Sequence, residues 1–143
     1  MPHAEASITI AHPIEEVFAY LVDGERCPEW RPGVAEIRRV SGEGGVGTTY
    51  VQRVRGPMSR PIAADYAITV HEPPRRLEFQ TLVGPVRPHG TYALQPADGG
   101  TRLTFTLDAE LRGIRRFLLG SAVQKTMDAE VGTLENLRSR LEP

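Results

Sequence analysis

LRGIRRFLLGSAVQKTMDAEVGTLENLRSRL, from Leu111 to Leu141, runs for 31 residues without a proline. Within it Ile114, Phe117, Leu118, Val123, Met127, Val131, Leu134, Leu137 and Leu141 recur at steps of mostly three or four, which sets one apolar stripe on a helix. A single helix of this length would extend about 45 Å, enough to cross a small domain. Alone it cannot bury its stripe, so the rest of the chain has to supply the surface it lies on. Gly113 and Gly120 stand in its first half, each giving up about 1 kcal/mol of helix propensity relative to alanine. With Ser121 and Ala122 they leave space beneath the helix, either for a cavity or for close packing. The expectation is a helix packed tightly over Val131–Leu141 and loosely over Ile114–Met127.

The upstream chain reads as the surface required. Ala6–Ile10 is a short β-branched run that predicts a first strand. Pro13 suits the first position of a helix, and Glu15 and Glu16 favour its positive end, so Pro13–Leu21 reads as a short helix ended by Asp23-Gly24. Glu25–Arg31 follows as a second short helix or turn, closed by Pro32-Gly33. Six strands are then expected at Val34–Val40, Thr48–Arg55, Pro61–His71, Arg76–Val83, His89–Gln95 and Thr101–Glu110, punctuated by glycine and proline pairs. Ile62, Ala64, Tyr66, Ile68 and Val70 share one face, as do Leu103, Phe105, Leu107 and Ala109, so the sheet is antiparallel, with one dry side and one wet. The fold class predicted is α+β: a curved seven-stranded antiparallel sheet wrapped around a long C-terminal helix, with two short helices after the first strand. Where sheet and helix part, they enclose a cavity.

A length of 143 residues fits one domain spanning 1–143. The formal charge of −1 offers no basic surplus for nucleic acid. Positive charge is almost all arginine, with Lys125 the only lysine. The single cysteine, Cys27, allows neither an intrachain disulfide nor a thiolate metal cluster. MPHAEASITI lacks the pattern of a signal peptide, and no run approaches the ~18 apolar residues that span a bilayer. A cytoplasmic location without stable membrane insertion is the expectation.

Six segments, taken in order, resemble the START/Bet v 1-like superfamily of helix-grip proteins, in its polyketide cyclase/dehydrase-like branch. They are Ala11–Asp23 (AHPIEEVFAYLVD), Pro28–Val40 (PEWRPGVAEIRRV), Gly45–Tyr50 (GVGTTY), Val70–Phe79 (VHEPPRRLEF), Gly90–Leu111 (GTYALQPADGGTRLTFTLDAEL) and the final helix. The resemblance implies a deep apolar pocket between sheet and long helix, closed by the two short helices and neighbouring loops. Its members share a cavity across lipid carriers, hormone receptors, cyclases and quinone-binding proteins, and no common catalytic motif, so the resemblance implies a container rather than a reaction.

Individual motifs have plain readings within that frame. Gly42, Gly44 and Gly47 match G-x-G-x-x-G, yet a strand-like run follows where a dinucleotide site needs a helix, so they read as a hairpin loop. His3, His12, His71 and His89 form no ligand pair, and no metal site or cofactor is expected. His89 shares a face with Thr91 and Ala93 and reads as solvent-side. Arg53 and Arg55 also read as exposed, because an unpaired buried arginine is costly. Asp65 and Asp108 sit opposite apolar residues and should be solvated. No nucleophile elbow such as G-x-S-x-G is present.

What remains is an apolar and hydroxyl-bearing set. Trp30, Tyr50, Tyr66, Phe79, Tyr92, Phe105, Phe117, Leu118 and Met127 are the candidate ligand-binding residues, on expected inner faces or at the pocket mouth. The leading reading is a protein that binds a lipid, quinone or polyketide-like molecule, with Tyr66 and Tyr92 as orienting hydroxyls. Its rival is a cyclase or dehydratase, which needs an acid or base inside the cavity; His89, Arg53 and Asp65 are the groups whose direction decides between them. A protein–protein module would instead need an exposed apolar patch. A homodimer is compatible with each.

Overall fold

The computed structural model describes residues 3–55, 60–84, 86–109 and 114–142, with backbone alone over 114–122. The strands are β1 (His3–Ile10), β2 (Val34–Ser41), β3 (Thr49–Arg55), β4 (Pro61–Ala63), β5 (Tyr66–Glu72), β6 (Arg76–Thr81), β7 (His89–Ala97) and β8 (Gly100–Asp108). The helices are α1 (Ile14–Val22), a 3-10 helix (Gly24–Glu29), α2 (Ile114–Val131) and α3 (Leu134–Leu141). Seven strands form one antiparallel sheet in the order β1-β8-β7-β6-β5-β3-β2, and the three-residue β4 pairs beside β3. This is the curled sheet and C-terminal helix of a helix-grip fold.

Period-two alternation positions the interior. Leu103, Phe105 and Leu107 are buried on β8 while Arg102 and Asp108 are exposed. Tyr92 and Leu94 on β7 and Tyr66 and Ile68 on β5 turn the same way. The opposite side carries polar pairs such as Ser7 with Thr104 (2.8 Å) and His89 with Glu78 (2.7 Å), as a sheet with one wet face requires. Gly42, Gly44 and Gly47 occupy the turn from β2 to β3 with φ of 84°, 105° and 90°, a conformation in which side chains with a Cβ are strained. The glycine motif is a hairpin.

Two expectations are corrected. Pro61–His71 is not one strand. Asp65 accepts the Gln52 backbone N–H (3.2 Å) and the Gln52 side-chain amide donates to the Ala64 carbonyl (3.1 Å), so the chain steps out of the ladder between β4 and β5. Nor is the C-terminal helix continuous to Leu141. Gly132 and Thr133 separate α2 from α3, and the Thr133 hydroxyl and N–H both turn back onto the Glu130 carbonyl, at 2.6 and 3.1 Å. A glycine followed by a β-branched residue with a competing hydroxyl is a weak place in a helix. α2 and α3 lie on β1 and β8, with Met127, Val131, Leu134 and Leu137 buried against them. Gly113 and the side-chain environment of Gly120, Ser121 and Ala122 lie outside the described residues; of the half foreseen as loose, Val123 is half-buried and Met127 is buried.

A candidate ligand pocket floored by tyrosines

An aromatic side chain points inward from each of five neighbouring strands. Tyr50 on β3 stacks on Tyr66 on β5 with ring centroids 5.0 Å apart, and Tyr66 meets Phe79 on β6 at 5.2 Å. Phe79 meets Tyr92 on β7 at 6.1 Å, and Tyr92 stacks on Phe105 on β8 at 4.5 Å. Each contact contributes about 0.5–1.5 kcal/mol beyond its buried area, so the strip is a rigid floor. Gly90 is needed within it: a Cβ there would come within 2.1 Å of the Phe79 ring.

Over this floor sit α1 and the 3-10 helix. Between them is a cavity of about 20 Å3, lined by Leu21, Val22, Gly24, Cys27 and Arg31 above and by Tyr50, Tyr66, Ile68, Leu77, Phe79 and Tyr92 below. Its size admits a water-sized group. Gly24 lets the lid approach closely, since a Cβ would fall 2.7 Å from both the Tyr50 ring and the Tyr66 hydroxyl. Among the described residues the walls of this cavity come from α1, the 3-10 helix, Arg31 and the sheet, while the α2 side chains over 114–122, which the expected position between sheet and C-terminal helix involves, lie outside the described residues.

Of the nine candidate residues, Tyr50, Tyr66, Phe79 and Tyr92 meet at this cavity. Trp30, Phe105 and Met127 are buried in the surrounding core and do not line it; Trp30 abuts Tyr92 edge-on at 6.3 Å. The side chains of Phe117 and Leu118 lie outside the described residues. His89 faces the outer side, held by Glu78 and Gln80, and Arg53 is exposed beside Glu36 at 3.4 Å. Asp65 does not line the cavity and is half-buried rather than solvated, because it stitches the β4–β5 step.

The residue that sequence reasoning passed over is Arg31. It is 7% exposed, and its Nε donates to Glu130 Oε2 on α2 at 2.9 Å, while Nη1 lies 3.8 Å from the Cys27 sulfur. Burial alone would push the guanidinium down; the Glu130 carboxylate more than reverses this, and Arg31 is held charged. Burial pushes the Cys27 thiol and the Tyr50, Tyr66 and Tyr92 hydroxyls up, so all four are neutral at physiological pH. On β3, the buried Gln52 Oε1 accepts no hydrogen bond among the described residues. No signal of period or spacing marks Arg31, whose partner is 99 residues away in sequence.

A family model described as "Polyketide cyclase / dehydrase and lipid transport" matches residues 1–142. The chain belongs to this family. At family level, polyketide cyclase/dehydrase members therefore act on or carry hydrophobic small molecules. An uncharacterized protein of Mycobacterium tuberculosis is 30% identical over 115 residues, covering 77% of this chain and 66% of its own length. The chain thus spans just under two thirds of that curated relative. A solved protein of Thermus thermophilus is 27% identical, with a TM-score of 0.82 over 98% of this chain and 97% of its own. A START superfamily protein of Mycobacterium smegmatis shares the fold at 16% identity, with a TM-score of 0.81 over 98% and 97% of the two chains. These likenesses show that the family member shares its fold with a START superfamily protein. Among its described residues, no helix is long and apolar enough to cross a membrane.

Proposed function

We propose that this family member binds an apolar or aromatic small molecule over the tyrosine-bearing floor, beneath α1 and the 3-10 helix. The observation that carries the reading is the unbroken aromatic strip across β3, β5, β6, β7 and β8, whose hydroxyl-bearing part borders the cavity. Flat rings offer a large rigid contact surface, and Tyr66 and Tyr92 orient the ligand through their hydroxyls. Binding takes the ligand out of water, and desolvation supplies the affinity at about 25 cal/mol for each Å² of apolar surface removed. Because the cavity admits only a water-sized group, a ligand's body displaces α1 or the 3-10 helix on binding.

The binding reading outranks the cyclase one on the chemistry of the lining. A general acid or base works best when it titrates near the operating pH. Among the described lining residues, Cys27, Tyr50, Tyr66 and Tyr92 are all pushed away from neutrality by burial, Arg31 is held charged by Glu130, and His89, Arg53 and Asp65 are absent. Native mass spectrometry of protein purified without added ligand tests the function. The expected result is a hydrophobic adduct that solvent extraction removes and that raises Tm when returned. A bare protein mass, together with no Tm shift from a panel of lipids, quinones and aromatic polyketides, would contradict it.

A further inference from the structure

The cavity contains a charged donor that an apolar container does not need. Arg31 carries five N–H donors in a planar fork. Nε is committed to Glu130 at 2.9 Å, and among the described residues Nη1 meets only the Cys27 sulfur, a weak acceptor, at 3.8 Å. The guanidinium is buried, lines the cavity, and acts electrostatically on both Tyr66 and Tyr92. A buried ion pair is weak evidence for stability, since well-packed apolar residues often serve as well or better. Its place beside a water-sized cavity on an aromatic floor puts it within reach of a bound ligand.

We propose that the Arg31–Glu130 pair is a specificity device that selects ligands bearing a neutral carbonyl oxygen, a ketone or quinone, and rejects carboxylates. The inference rests on the binding function above and names the ligand class for the same site. The outer edge of the guanidinium donates a charge-assisted hydrogen bond to the ligand oxygen, which occupies the water-sized cavity while the rings lie on the tyrosine floor. Glu130 already neutralises Arg31, so a carbonyl adds no net charge to the buried site. A carboxylate adds a second negative charge beside Glu130, desolvated and uncompensated. Gly33 lies against the same carboxylate, where a Cβ would be 3.1 Å from Glu130 Oε1, so the absent side chain leaves Glu130 its place beside Arg31. Arg31 thus supplies attraction to oxygen, and Glu130 supplies discrimination against anions.

Three matched probes test this: 2-acetylnaphthalene, 2-ethylnaphthalene and 2-naphthoate, titrated against the whole chain by Trp30 fluorescence and by calorimetry. The wild type should bind the ketone about tenfold or more tightly over the ethyl compound, the range of a hydrogen bond to a charged donor, and bind naphthoate least. The paired variant Arg31→Met with Glu130→Met should bind the ketone and the ethyl compound equally; changing both partners avoids leaving one charge buried alone. Glu130→Gln keeps the guanidinium and removes the anion, and should turn naphthoate into the tightest of the three. A purely structural pair would make Glu130→Gln weaken all probes alike. Equal binding of ketone and ethyl compound by the wild type, or a ketone preference that survives the paired variant, would overturn the device and leave the pocket intact. Failure of all three probes to bind the wild type saturably would overturn the pocket and the device together.

Discussion

Tyr66 and Tyr92 show most plainly what burial does to a side chain in this molecule. Desolvation pushes both hydroxyls well above the ordinary phenol value, and the Arg31 charge offsets only part of this. With folded pKa values above an unfolded value of about 10, the native chain holds protons that the unfolded chain releases above that pH. Stability is therefore fully present below about pH 10 and falls as pH rises beyond it. Spectrophotometric titration at 295 nm should show these tyrosines ionising only as the fold is lost, with tyrosinate absorbance and circular dichroism changing together. Ionisation of all four tyrosines in a chain still folded at pH 11 would contradict this. Residues on regular strands were legible in the sequence for a simple reason: Tyr50, Tyr66, Tyr92 and Phe105 obey period two, so their inward direction follows from their neighbours. Arg31 was not legible. It lies in ERCPEWRPG, a polar run with no period, and what buries it is a carboxylate on a helix near the other end of the chain. Asp65 misled in the other direction, because a local jog in the backbone turned a residue of solvent parity into a half-buried acceptor.

At the scale of elements, the break in the C-terminal helix has a use. By ending α2 at Val131 and restarting at Leu134, the chain brings α3 alongside the lid of the pocket. Asn136 donates its side-chain amide to the Trp30 carbonyl at 3.2 Å, and Arg140 reaches Glu29 at 3.3 Å, where Tyr20 of α1 also donates at 2.5 Å. With Arg31–Glu130, these contacts hold the 3-10 helix over the aromatic floor from outside the sheet. Asn136→Ala should cost about 1 kcal/mol in denaturant unfolding, a typical net hydrogen bond. Its sharper signature is local: hydrogen exchange should quicken over residues 24–31 while β7 and β8 keep their protection. A uniform rise in exchange would mean that the contact supports the whole fold and not the lid. The periodic stripe predicted this helix well but could not predict its interruption, since Leu134, Leu137 and Leu141 continue the apolar spacing across Gly132-Thr133. Hydrophobic period reports which face is buried, and is blind to a two-residue change of direction when the next segment is buried on the same side.

For the whole molecule, the architecture divides labour between the two ends of one sheet. α2 and α3 close the β1–β8 end with tightly buried aliphatic residues, Ile10, Leu103 and Leu137 among them, each fully shielded from solvent. The β3–β7 span carries the aromatic floor and is covered by two short helices, held by side-chain ties and containing a glycine that only just clears the tyrosines. A domain that binds a ligand internally has to open somewhere, and the weakly held segment over the floor is the part this construction leaves free to move. The most direct check is a titration of the isotopically labelled protein with 2-acetylnaphthalene, followed in two-dimensional amide NMR spectra. The account predicts saturable shifts centred on residues 24–31 and on Tyr50, Tyr66, Phe79 and Tyr92, with the outer-face residues His89, Thr91 and Thr104 unmoved. Shifts confined to the exposed Val40, Val46 and Leu82, or none that saturate, would contradict it.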